Sequence, residues 1–323
     1  MLTLERIRSI ELSARPKGQL VMASFLLNLD YRLPRPTEIV VEGIENILEA
    51  GPCFLAMNHT DRYNYWPFQC QLHLHGRYTT TWVKGKYYDS ALTGWFMDVM
   101  GQVPLASRGY VIATAWKQAG LGPLDGDTYR ALRDVVDGKA PVEHALARGG
   151  MTVEFVRRHG GQGFAETLQA RFLALMDEVM RLNRQAFDLG LYVLVFPQGT
   201  RSLRLSRGHT GMMQVAQHLG LPVVPIGCSG SDRVYPGNLP FAKGGRIVYR
   251  CGPALQLDGP ELGTHRVTES FMPMTTAATE AHRDAFQAAT DVVMDRINDL
   301  VDPEYRYAED KVSDGVSGVD RFV

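Results

Sequence analysis

The sequence predicts an α/β protein: a mixed, largely parallel sheet flanked by helices, with an N-terminal helical lead-in and a helical insert. Three observations carry this. The runs Cys53-Phe54-Leu55-Ala56-Met57, Leu191 to Phe196 and Pro222 to Ile226 are apolar without alternation, the pattern of strands covered on both faces. Stretches with apolar residues at helical spacing separate them. Strand and helix then alternate, which builds a sheet with helices packed against it.

Taken in order, residues 1–35 form the lead-in, read as two helical stretches broken at Arg15-Pro16-Lys17-Gly18. The second stretch carries Leu20, Val21, Met22, Phe25, Leu26, Leu27, Leu29, Tyr31 and Leu33, and is apolar on most faces. It fits a helix packed on the core. It also fits an interfacial helix seated on a membrane surface, with Arg15, Lys17, Arg32 and Arg35 for anionic headgroups. From 36 to 302 a single domain is expected. Ile39-Val40-Val41, Cys53 to Met57, Tyr78 to Val83 and Gln102 to Leu105 read as strands, with helices from Pro67 to His75 and from Tyr88 to Met100. An insert at about 110–189 is helix-patterned. Its long helix, Glu166 to Phe187, carries Leu168, Phe172, Leu175, Met176, Val179 and Leu182 at helical spacing. The strands Leu191 to Phe196 and Pro222 to Ile226 bracket a helix from His209 to Leu219, and residues 275–300 form a last helix. Residues 303–323 hold few apolar side chains and predict a loose tail.

Composition narrows the function classes. A formal net charge of −1 gives no bulk field for nucleic acid, so an anion site must be local. Cys53, Cys70, Cys228 and Cys251 form no CxxC pair, so neither a zinc site nor a disulfide framework is expected. The first residues lack the order of a secretory signal, and no apolar run reaches the ~18 residues that span a bilayer. The expectation is a cytoplasmic protein, or one peripheral on the inner face of the membrane.

Two turns carry the chemistry. Met57-Asn58-His59-Thr60-Asp61-Arg62-Tyr63-Asn64 runs off the end of a buried strand, and ligands of open α/β sheets bind at that edge. Pro67 favours a helix start just after it, so residues 59–65 form an irregular turn able to bring His59 and Asn64 together. A histidine with one ring nitrogen held by a neighbouring oxygen has a fixed tautomer and can take a proton from an alcohol. Asp61, two residues on, is either a second partner for the ring or a turn residue bonded to its own backbone. The second turn, Phe196-Pro197-Gln198-Gly199-Thr200-Arg201-Ser202, offers a glycine for close approach, a guanidinium fork and two hydroxyls, a set suited to phosphate.

Together, NHTDRYN and FPQGTRS resemble the histidine-box and FPEGTRS-type signatures of the glycerol-3-phosphate and lysophosphatidate acyltransferase family. Lys84 to Gly94 with Gly101, Pro104 and Arg108 resembles that family's second block, and Leu221-Pro222-Val223-Val224-Pro225 its fourth. The resemblance covers residues 38–108 and 190–230. It implies a glycerolipid acyltransferase fold and an O-acyltransferase that uses no metal or cofactor. The acyl group would come from acyl-CoA or acyl-carrier protein and go to a glycerophosphate or lysophospholipid. His59 would be the general base, with Asn64 where the family's acid stands and Asp61 as a further candidate. Gly199, Thr200, Arg201 and Ser202 would hold the acceptor phosphate, with Lys84 and Arg108 as lesser contacts. Two family acids are amides here, Asn64 and Gln198. Those amides leave two other readings open: a catalytically impaired lipid- or acyl-carrier-binding protein, and an acyltransferase for an amine or sugar hydroxyl.

Overall fold

The computed structural model of the chain describes residues 1–312. These residues divide into two compact units, one of Met1–Glu11, Val83–Asp98 and Val103–Leu182, the other of Leu12–Trp82, Val99–Gln102 and Asn183 onward.

The first unit holds much of the helix-patterned stretch at about 110–189, together with Met1–Glu11 and Val83–Asp98. Its helices include Arg108–Gln118, Gly126–Val136 and Gly150–Arg158, followed by most of Phe164–Asp188. Their starts are written in the sequence. Ser107 accepts a hydrogen bond from the Tyr110 amide, and Asp125 accepts from the amides of Asp127 and Thr128, satisfying donors that a helix start leaves open. The core closes around Phe155, whose ring lies 5.0 Å from Trp116 and 5.7 Å from Phe164. His159 belongs to this packing, donating from Nδ1 to the Phe155 carbonyl at 2.8 Å, and burial lowers its pKa.

A seven-stranded sheet runs in the order β1-β7-β6-β2-β5-β3-β4. Its strands are β1 Thr37–Glu42, β2 Phe54–Met57, β3 Thr79–Lys84, β4 Val103–Leu105, β5 Tyr192–Val195, β6 Val223–Ser229 and β7 Gly245–Cys251. β1 with β7, β2 with both β5 and β6, and β3 with β5 are parallel, while β6 and β7 are antiparallel. Every residue of β2, β5 and β6 is buried, as their unbroken apolar runs require. Gly227 lets helix Arg283–Leu300 lie close on β6, since a β-carbon there would stand 2.7 Å from the Leu300 backbone.

β7 has no counterpart among the predicted strands because Arg246 and Arg250 interrupt its apolar pattern. Both charges are met across the β1 pairing. Arg246 lies 3.3 Å from Glu38 and Arg250 3.0 Å from Glu42, each opposite its partner in register.

The lead-in holds a helix at Leu4–Arg8 and a longer one beginning at Lys17, whose middle turn, Met22–Leu26, is a π-helix. Within the second unit the longer helix is anchored by a polar residue, not an apolar one. The buried Gln19 amide donates to the carbonyls of Thr79 (2.6 Å) and Met100 (2.8 Å). Composition predicts a loose tail after Pro303, yet Tyr305 is fully buried. Its hydroxyl donates to Asp232 at 2.6 Å, and its carbonyl accepts from the Leu205 amide at 2.9 Å. The buried ring helps dock this short segment, together with the Tyr307 amide donating to Asn298 at 2.9 Å. Residues 313–323 of the expected tail lie outside the described residues.

Candidate active site

The parallel pairing of β2 with β5 decides where the two turns meet. Phe54 faces Val193, Leu55 faces Leu194 and Ala56 faces Val195, so both strands run the same way and end level. Three residues beyond those last partners come His59 and Gln198. Segments separated by more than a hundred residues must therefore leave the sheet side by side at its C-terminal edge.

They are joined directly. The His59 backbone amide donates to Gln198 Oε1 at 3.0 Å, and the Ser202 amide donates to the His59 carbonyl at 2.9 Å. The imidazole lies flat on the Phe196 ring, with centroids 4.0 Å apart and planes 17° from parallel. Both rings are half-buried, so the histidine is held yet reachable.

Hydrogen bonds also fix which way the imidazole is used. Asn64 is fully buried, and its Nδ2 donates to the Asn58 carbonyl at 2.8 Å. That bond points Oδ1 at the ring, where it stands 3.2 Å from His59 Nδ1. An oxygen facing Nδ1 requires Nδ1 to carry the hydrogen, which makes Nε2 the basic nitrogen. The turn itself is pinned at both ends. Asn58 accepts from the Cys228 amide at 2.7 Å and donates to its carbonyl at 2.9 Å, continuing the β2–β6 ladder by a side chain. Tyr249, on β7, donates to the Asn64 carbonyl at 2.6 Å.

Asp61 uses its carboxylate locally. Oδ1 accepts from the Tyr63 amide at 2.8 Å and Oδ2 from the Thr60 hydroxyl at 3.0 Å, the arrangement of a turn residue bonded to its own backbone. Burial pushes its pKa up to about 6, against the pull of the neighbouring Ser231 hydroxyl, the Tyr63 amide and the Thr60 hydroxyl.

The arginine turn is shaped by its proline and glycine. The Gly199 amide closes on the Phe196 carbonyl at 2.9 Å, with Pro197 at the second position of the turn. Gly199 has φ +66°, and a β-carbon there would stand 2.8 Å from the His209 ring, so conformation and space both call for glycine. Gly199 and Thr200 are exposed, Arg201 is half-buried and Ser202 is buried. Lys84 and Arg108 lie in the other unit. There Arg108 donates from Nε to Gln169 at 3.3 Å, and its guanidinium carbon stands 4.9 Å from the Phe172 ring centroid.

Of the sequence candidates, His59, Asn64 and the arginine turn thus come together in one hydrogen-bonded group, while Asp61 bonds within its own turn. Phe196, Gln198 and Tyr249 join that group. Gln198 stands out in the sequence as an amide in place of an acid, but nothing there gives its partner. Tyr249 is hidden because its strand is.

No curated protein matches the chain. Among solved structures, the chain is similar to the crystal structure of the 1-acyl-sn-glycerophosphate (LPA) acyltransferase PlsC from Thermotoga maritima. The identity is 15% and the TM-score 0.40, with 86% of this chain and 79% of that chain covered. That likeness is too slight to bear on function. Residues 141–229 match the family model described as Acyltransferase. The matched span takes in β5, the FPQGTRS turn, helix Gly211–Leu219 and β6, and stops short of the histidine turn that hydrogen bonds to it. Over that segment the chain is similar to the acyltransferase family.

Proposed function

We propose that this acyltransferase moves a fatty acyl group from acyl-CoA or an acyl-carrier-protein thioester to the hydroxyl of a glycerophosphate or lysophospholipid, with His59 as general base. The observation that carries the reading is the group just described: an imidazole whose Nδ1–H is taken up by Asn64, on a residue whose backbone bonds to the Gln198 side chain and the Ser202 amide of the arginine turn. In the reaction the acceptor hydroxyl gives its proton to Nε2 as its oxygen attacks the thioester carbonyl. The tetrahedral intermediate then expels the thiolate, which takes the proton back from His59. Arg201, with the hydroxyls of Thr200 and Ser202, suits an acceptor phosphate.

Acceptor profiling tests the phosphate. Lysophosphatidate or glycerol 3-phosphate should be acylated at least tenfold more efficiently than monoacylglycerol or glycerol, since a charge-assisted contact is worth about 1.5–3 kcal/mol. Equal use of both sets, or a preference for amines or sugars, contradicts the phosphate assignment.

A membrane surface is part of the reading. No helix among the described residues is long and apolar enough to cross a membrane. Yet the lead-in segment 17–33 buries Gly18, Gln19 and Leu27 and leaves Val21, Phe25, Leu26, Leu29 and Leu33 between 53% and 71% exposed. Exposed Arg15 and Lys17 precede this apolar face and exposed Arg32 and Arg35 follow it, which suits an anionic interface. Phe25→Asp or Leu29→Asp should each cut sedimentation with vesicles containing anionic phospholipid by about tenfold or more. Unchanged sedimentation of both variants contradicts this surface.

A further inference from the structure

We propose that Gln198 is a positioning residue for both halves of the site, its amide oxygen holding the general base and its amide nitrogen the arginine loop; the proposal rests on His59 being that base. Three facts support it. Gln198 is 2% exposed, so its side chain is committed to the protein interior. Its Oε1 accepts the His59 backbone amide at 3.0 Å, just beyond the last β2–β5 partners. Its Nε2 donates to the Arg204 carbonyl at 3.4 Å and the Ser206 hydroxyl at 3.3 Å, across the chain that leaves Arg201.

A carboxamide accepts at one end and donates at the other, whereas a carboxylate only accepts. Glutamine here therefore ties the base to the arginine loop through one side chain. Ser202 closes the same connection from the backbone by donating to the His59 carbonyl. The imidazole is then set by its own backbone, by Phe196 beneath it and by Asn64 at Nδ1. Gln198 governs the first of these.

The two ends can be separated experimentally. Gln198→Met keeps the length and removes both functions; Gln198→Glu keeps the acceptor for His59 and removes the donor to residues 204 and 206. With the full chain, Gln198→Met should lower kcat about 10- to 100-fold, the effect of a slightly misplaced catalytic group. Gln198→Glu should hold kcat within about threefold while raising the acceptor KM about five- to tenfold, because the bond to the Arg204 carbonyl is lost while the Ser206 hydroxyl can turn and donate to the carboxylate. Hydrogen exchange at the His59 amide should be slow in the native chain and in Gln198→Glu, and faster in Gln198→Met. Equal kcat losses in the two variants, or native kcat in Gln198→Met, overturn the proposal. If Gln198→Met does not fold, the kcat and KM split in Gln198→Glu decides alone. An inactive native chain counts against the acyl-transfer reading, whereas unchanged His59 exchange in Gln198→Met counts against Gln198 itself.

Discussion

Replacing His59 with alanine is expected to lower kcat for acyl transfer by about a hundred- to ten-thousand-fold, the usual contribution of a positioned general base. The acceptor KM should move little, because Thr200, Arg201 and Ser202 remain to meet the phosphate. The fold should survive. His59 is only half-buried, and what its removal leaves behind is one unpaired oxygen on buried Asn64, a loss of about 1–3 kcal/mol. Steady-state thiol release and a denaturation curve separate the two effects. A variant that keeps native turnover removes His59 from the mechanism, whatever its stability.

Asn64→Asp is the second large effect, and its sign opposes what the resemblance alone suggests. The family places an acid here, so restoring one looks like repair. The local hydrogen bonds say otherwise. Nδ2 of Asn64 donates to the Asn58 carbonyl at 2.8 Å, and a carboxylate oxygen in that place would face another oxygen with no hydrogen between them. The position is fully buried, and the same turn already holds Asp61, which burial has pushed up to about 6.

The introduced carboxyl would keep its proton longer in the folded than in the unfolded chain. A carboxyl raised in this way stabilises fully only below its unfolded pKa, and loses that contribution as pH rises through its folded pKa. Asn64→Asp should therefore be about 1–3 kcal/mol less stable than the native chain at pH 8, with a smaller deficit at pH 5. No gain in turnover is expected. Chemical denaturation at the two pH values, with thiol release alongside, checks this. A variant more stable and more active than the native chain would show that the amide impairs the site, which is the binding-protein reading.

How much of this was legible in the sequence depends on where each residue's partners sit. The central strands were readable because Phe54 to Met57 and Tyr192 to Val195 are buried on both faces and carry unbroken apolar runs. The histidine and arginine turns were readable because each follows such a strand. β7 was not, because Arg246 and Arg250 lie opposite Glu38 and Glu42, partners some two hundred residues away. Asp61 shows the limit of spacing. Two residues from a histidine could have meant a partner for the ring, but the Tyr63 amide and Thr60 hydroxyl, both in the same turn, take both oxygens. Gln198 shows the converse. As a letter it looked like a lost charge, and only its three hydrogen bonds reveal a donor and an acceptor at work together.

The most direct measurement is the stoichiometry of the native reaction. Purified chain is mixed with an acyl thioester, and free thiol and acylated lysophosphatidate are counted together. The account predicts one thiol for each acylated acceptor and negligible thiol when the acceptor is left out. Thiol released at the same rate without any acceptor, or none released in its presence, would contradict it.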